Sequence, residues 1–166
     1  GHHLTIDDTL FRGRRGAHGR PAAHCRRVSA CDTGAMGDAG DHIEVTIDEL
    51  RAVAGYAAAC AEPVLALFTQ ACPDDPRPAS ALDAARTFAD GAPRTRLQRT
   101  AAVAAHRAAR DSASEVAQHA ALAAGDAAAS AYLHPLAKAT QVRHILGAAA
   151  QAARAGELSR GDDPVV

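Results

Sequence analysis

Residues 101–131 are AAVAAHRAARDSASEVAQHAALAAGDAAASA, two alanine-rich runs separated by a short polar segment. Alanine is the best helix former because it loses no side-chain entropy in a helix. The same composition extends well beyond this stretch, since alanine fills 38 of the 104 positions between Ala52 and Ala155. The sequence therefore predicts helices that pack against one another at short distance.

Five helices are predicted from the spacing of apolar residues, which recur every three or four positions. Their approximate ranges are 47–71, 78–90, 94–110, 113–131 and 135–155. Pro63 lies inside the first range and is expected to kink that helix or divide it near Glu62. Because the connections are short and no strand pattern occurs, we predict an all-α fold, a compact helical bundle.

Local signals mark some of the helix ends. Thr46 and Glu49 have the spacing of a capping box, in which each side chain accepts a hydrogen bond from the other residue's backbone. Ser112 and Glu115 repeat this spacing and predict the start of the fourth helix. Gly156 is the expected stop of the fifth helix.

Length and charge limit the domain organisation and the class of partner. The chain has 166 residues, which predicts one domain over about 46–158 and a C-terminal tail over 159–166. Residues 1–45 are predicted to be a disordered arm, a tag remnant or an upstream extension. Residues 36–166 carry twelve basic against sixteen acidic residues, which weighs against a nucleic-acid partner.

Two features of the sequence predict the cellular location, namely the polar residues that interrupt the apolar runs and the spacing of the cysteines. Polar residues break every apolar run before the roughly 20 residues that cross a bilayer, so we expect no membrane association. The four cysteines form no CxxC pair and no signal peptide is evident, which favours a reduced, cytoplasmic protein. We expect a monomer or a homodimer.

Helical projection separates apolar from polar faces. In the fifth helix Val142, Ile145 and Leu146 fall on the apolar face, whereas His144 lies opposite. The third helix has Leu97 on its apolar face. Four arginines lie opposite it, namely Arg96, Arg99, Arg107 and Arg110.

Polar side chains concentrate at the junction of the fourth and fifth helices. His119 and Asp126 share one stripe of the fourth helix, which is either its solvent side or a polar seam between helices. Lys138 projects into the apolar face of the fifth helix and requires an anion there, for which Asp126 is a candidate. Alternatively, Lys138 snorkels to water. With His134 and His144, these residues form a predicted polar junction that is either structural or a binding site.

Catalytic and metal-binding motifs do not occur in the sequence. His106, His119, His134 and His144 have no pair at helical ligand spacing, and the chain has no HExxH, GxSxG or glycine-rich phosphate loop. We predict no metal, no cofactor and no catalytic residue. An enzyme or ligand-binding bundle that uses a pocket of histidine and aspartate side chains stays an alternative.

The chain resembles the helical immunity proteins of bacterial polymorphic toxin systems, in the group like the fifth immunity family. The resemblance covers about 46–158. Its most specific segments are PDDPRP at 73–78 and HPLAK at 134–138, the second of which lies within the longer resembling stretch AYLHPLAKATQVRHILG at 131–147. It implies a small cytoplasmic protein that binds and neutralises a cognate toxin and has no catalysis of its own.

No toxin-contacting residue follows from the resemblance. A mildly acidic bundle suits a basic toxin site, because complementary charge speeds association. On that ground the predicted contacts are Asp74, Asp75, Asp83 and Asp90. A third hypothesis is a structural module that oligomerises through its alanine-rich faces.

Overall fold

The structure is a computed structural model. It describes residues 45–133 and 139–161, and of residues 139 and 140 it describes the backbone alone. Five α-helices follow one another along this part of the chain, and no strand occurs in it. They are α1 (Ile47–Ala71), α2 (Arg77–Ala89), α3 (Arg96–Asp111), α4 (Glu115–Ala129) and α5 (Ala139–Arg160), with a short 3₁₀ turn at Ser130–Tyr132 after α4. The predicted all-α bundle is confirmed.

The first helix is continuous. It begins at the predicted capping box, where the Thr46 hydroxyl accepts from the backbone N–H of Glu49 and the Glu49 carboxylate accepts from the backbone of Thr46. These hydrogen bonds from Thr46 also lower the pKa of Glu49. The expected division near Glu62 is wrong, since α1 continues through Pro63 to Ala71. Pro63 lies on the exposed side of the helix, away from the packed face.

Two predicted helix boundaries are wrong. Helix α4 is capped by Ser114, whose hydroxyl accepts from the backbone N–H of Ala117, whereas Ser112 is the C-cap of α3. Helix α5 does not stop at Gly156 but continues to Arg160, before a residue with positive φ, Gly161 (φ 68°). Helical geometry tolerates an interior glycine at a modest cost, so glycine alone does not end a helix.

Helix α4 is the centre of the bundle and contacts all four other helices. Of its residues only Glu115 is exposed, as expected for a core helix. Twenty-three of the 28 buried apolar residues in the described part of the chain are alanine. Larger buried side chains are few, and Phe68, Leu82 and Phe88 supply most of the bulk. The bundle is thus held by close backbone approach rather than by large interlocking side chains.

By length and composition alone, α1 could cross a bilayer, with a mean hydropathy of 1.5 over its most apolar window. The expectation that no stretch is long and apolar enough is therefore wrong for this helix. Its buried face, from Leu50 to Phe68, packs against α2, α4 and α5. The core helix of a globular bundle has the same length and composition.

Candidate binding surface at the junction of α3, α4 and α5

Asp126 lies where three helices meet. From α3, Nε2 of His106 donates to Oδ1 of Asp126 at 3.1 Å. On the other side, Asp126 lies against Gly147 of α5. Both side chains of the pair are about three-quarters buried, with 21% and 26% of their areas exposed. One carboxylate of α4 thus contacts both α3 and α5.

Two glycines make this arrangement sterically feasible. A methyl group on Gly125 would lie 2.4 Å from Cδ2 and 2.6 Å from Nε2 of His106. A methyl group on Gly147 would lie 2.7 Å from Oδ2 of Asp126. Real Cβ atoms do not approach other atoms this closely, so the imidazole and the carboxylate occupy space that any other residue would fill.

A second polar contact joins α4 to α5 further along the seam. Nδ1 of His119 donates to Oε1 of Gln151 at 2.6 Å. Beyond it, Glu115 lies 3.8 Å from a guanidinium nitrogen of Arg154 and 3.9 Å from Nε2 of His119. The stripe that contains His119 and Asp126 therefore forms a half-buried polar seam between helices.

The structure describes a different partner for Asp126 from the one considered in the sequence. His106 of α3 fills that role. His134 and Lys138 lie outside the described residues, so the hypothesis of an Asp126–Lys138 contact stays a prediction. His144 is half-buried in α5.

A shallow groove of about 430 Å³ opens beside Asp126 on the surface of α5. Its lining includes Val142, Arg143, Leu146, Gly147 and Gln151. Two of these side chains are large, apolar and exposed, with 56% of Val142 and 47% of Leu146 accessible. The groove therefore combines an apolar rim with a carboxylate at its edge.

The exposure of this rim shows that the predicted apolar face of α5 is wrong at Val142 and Leu146. The buried residues of α5 are Gly147, Ala148, Ala152 and Ala155. Small residues face the core because α5 packs closely against α4 and α1. The projection had ranked positions by hydrophobicity and so placed the larger Val142 and Leu146 inward.

Helix α3 shows the same kind of difference. Leu97 was predicted to face the core, yet 54% of it is exposed. Gln98 is buried instead, with 1% exposed, because its side chain accepts from the backbone N–H of Thr95 and closes a capping box at the start of α3. Its amide also donates to the carbonyl of Ala84 in α2 at 3.5 Å.

The four aspartates suggested as partner contacts lie on or near α2. Asp74, Asp83 and Asp90 are exposed, and Asp75 is half-buried. Asp83 lies 3.7 Å from the guanidinium of Arg86. None of the four lines the groove.

Asp75 is the most constrained of these carboxylates. Its oxygens accept from Nε and Nη2 of Arg77, and Arg77 also pairs with Asp111 at the end of α3 at 2.9 Å. These hydrogen bonds from Arg77 hold the pKa of Asp75 below its usual value and raise the pKa of Arg77. The ion pairs tie the loop before α2 to the end of α3, which is a structural use of Asp75.

The described part of the chain has no group of three metal-ligating side chains. The His106–Asp126 and His119–Gln151 contacts are separate pairs, each linking two helices. Cys60 and Cys72 are free thiols. Sequence reasoning missed Gly125, Gly147 and Gln151 at the junction, because small residues and a lone glutamine give no signal in a single helix projection.

Comparison with known families places this geometry in context. The family model described as "Imm-5 like putative immunity protein" matches residues 44–165. The chain belongs to this family. No curated protein and no solved structure matches the chain.

The Imm-5 like match begins just before the capping box of α1 and extends past the end of α5. It therefore includes every helix described above, the polar seam and the groove. The resemblance noted from the sequence is confirmed, and its limits agree closely with the helical bundle.

Proposed function

We propose that this protein is the immunity component of a bacterial polymorphic toxin system, and that it neutralises its cognate toxin by direct contact without a catalytic step. Membership of the Imm-5 like immunity family over 44–165 is the observation that carries the proposal.

The groove on α5 is the best candidate for part of the contact surface. Isolated apolar side chains on a surface are common, but paired ones beside a depression are typical of interaction sites. Val142 and Leu146 are one helical turn apart, so they present one apolar strip beside Asp126. A protruding apolar side chain of the toxin would be desolvated there, as at the centre of many interfaces.

Burial of the alanine-rich faces favours partner binding on the outer surface over oligomerisation through alanine. The alanines of α4 are buried within one chain, so they are not available to a second copy. We propose that the protein acts in the cytoplasm as a monomer or homodimer. Light scattering of the purified protein would establish which.

Co-purification tests the proposal. The toxin-like gene next to the one for this chain would be expressed with it, and we expect a stable complex and protection of the producing cells. Failure to form a complex at micromolar concentrations, with no protection from the toxin, would overturn the proposal.

A matched pair of variants tests the groove. Leu146→Glu places a charge in the exposed apolar strip and is expected to weaken toxin binding about 30-fold, as loss of a hot-spot residue does. Ile47→Glu is the control, because Ile47 is similarly exposed at the start of α1. Equal affinities of the two variants would exclude the groove from the interface.

A further inference from the structure

The outward face of α3 is strongly basic up to Asp111, the last residue of the helix. Five arginines and no carboxylate occur from Arg94 to Arg110. Arg96 and Arg107 lie at the centre of the exposed face, opposite the buried alanines, and Arg110 lies beside them. Since a helix rises 1.5 Å per residue, Arg96 to Arg110 spans roughly 21 Å.

Four arginines elsewhere in the bundle are paired with carboxylates of the same chain. Arg51 pairs with Asp48, Arg77 with two aspartates, Arg86 with Glu62 and Arg154 with Glu115. Arg96, Arg107 and Arg110 have no ion pair with any residue that the structure describes. Their charge is therefore not used to hold the helices together.

The two remaining arginines of this segment are held in place by an aromatic ring. Arg94 and Arg99 lie 5.4 Å and 5.0 Å from the centroid of Tyr132, close enough for cation–π attraction. Arg94 also donates to the carbonyl of Ala131 at 3.2 Å. One end of the basic face is thus fixed against the end of α4, whereas Arg107 and Arg110 stay available at the other end.

The basic face adjoins the groove. His106 follows on the helix surface beside Arg110, and its partner Asp126 lines the groove, where Arg143 adds a further cation without a described ion pair. The half-buried Val103 lies on the same side of α3 as three of these arginines. Arg99 and Arg107 are one helical turn from it, and Arg110 is two turns from it. An apolar residue within a ring of cations suits a protein surface that presents carboxylates around an apolar side chain.

We infer that the outward face of α3, from Arg96 to Arg110, binds an acidic surface of the toxin. This inference rests on the proposed function and specifies the chemistry of the partner. Guanidinium groups bind carboxylates through two parallel hydrogen bonds, so they supply both orientation and attraction. Charges on an interface rim raise the association rate above that of a neutral surface.

A protein carboxylate surface fits better than a nucleic acid. Duplex DNA carries one phosphate charge per about 1.7 Å and favours an extended basic path. Outside α3, the described helices carry more acidic than basic residues, and Glu62 of α1, Asp83 of α2 and the flanking Asp74 and Asp90 are all exposed. The basic surface is confined to one helix and the neighbouring Arg143.

The test compares two double variants with the same change in net charge. Arg107→Gln with Arg110→Gln removes two positive charges from α3, and both side chains are exposed without a described ion pair, so folding should not change. Gln70→Glu with Ser80→Glu is the control, because it adds two negative charges at exposed positions of α1 and α2. Thermal melts of both variants establish that the bundle is intact.

The probe is the product of the adjacent toxin-like gene, and association rates are measured at low and physiological salt. We expect the α3 variant to associate about 10- to 100-fold more slowly at low salt, with a weaker salt dependence, and the control to behave like wild type. Unchanged association of the α3 variant, with wild type still binding the toxin, would overturn the inference but not the proposed function. No binding by wild type would overturn both.

Two further outcomes are decisive. If Asp74→Lys and Asp90→Lys slow association whereas the α3 variant does not, the toxin surface is basic and the inference is wrong. If wild type binds a short duplex DNA at physiological salt and the α3 variant does not, the face recognises phosphate rather than an acidic protein, and the inference is again wrong.

Discussion

Replacing Gly125 with alanine should destabilise the bundle, although the same change stabilises most helices. The new methyl group would lie 2.4 Å from the His106 ring and 3.3 Å from the carbonyl oxygen of Ala102. The ring is the end of a flexible side chain and can move, but only by losing its hydrogen bond to Asp126. The substitution therefore gains helix propensity but breaks a contact between α3 and α4.

The magnitude follows from these opposing effects. Alanine favours a helix interior over glycine by about 1 kcal/mol. Loss of a hydrogen bond to a charged group costs about 1.5 kcal/mol at a partly buried position, and overpacking adds about 1 to 3 kcal/mol. We expect a net loss of about 2 kcal/mol, which lowers the melting temperature by roughly 8 °C for a domain of this size.

Gly55→Ala is the matched control within α1. Its methyl group would lie 3.7 Å from Cβ of Ala89, an ordinary contact, so alanine should raise the melting temperature by about 3 °C. Circular dichroism melts of both variants measure the two shifts. A third protein, Gly125→Ala combined with His106→Ala, should recover most of the loss that the clash causes. A Gly125→Ala protein as stable as wild type would refute the reasoning.

Three other substitutions test contacts described above. Asp75→Asn should cost under about 1 kcal/mol at pH 7. Because hydrogen bonds from Arg77 hold the folded-state pKa of Asp75 below its usual 3.8, this difference should shrink as the pH falls below 3.8 and disappear once the pH has passed the folded-state pKa, as urea unfolding at a series of pH values from 7 downwards would show. Thr95→Ala should remove the cap of α3 and cost about 1 kcal/mol in the same unfolding assay. Tyr132→Phe deletes the hydroxyl that donates to the carbonyl of Thr95 but keeps the ring under Arg99, so we expect a smaller loss in thermal melts than for Tyr132→Ala.

The number of helices and several ends were predictable because they depend on local chemistry. The capping box at Thr46 and the turn at 73–76 each mark a helix end by the types of their own residues. At Gly91, with φ 105°, the backbone adopts a conformation that favours glycine, and this residue follows the end of α2. The N-cap of α4 was predicted two residues too early because Ser112 and Ser114 both suit a cap, and Ser112 instead ends α3.

Hydrophobicity placed the arginines of α3 correctly on its outward side, but it misplaced Leu97 in α3 and Val142 and Leu146 in α5. Where helices approach closely, volume rather than hydrophobicity decides which residues face inward, so Gly147 is buried and Leu146 is not. The His106–Asp126 contact could not be predicted for a related reason, since it depends on the axial position of α3 relative to α4. Packing between the two helices sets this position, and the sequence of either helix alone does not indicate it.

An interior made largely of alanine has few side-chain rotamers to rearrange. Alanine-scanning mutagenesis would leave most interior positions unchanged, because they are already alanine. Adding even one or two carbon atoms at a position such as Ala124 would instead push two backbones apart. The chain can therefore vary freely only on its outward side chains. A partner would meet a surface whose backbone is set before contact, and changes in recognition would arise by exchanging exposed residues while the interior stays the same.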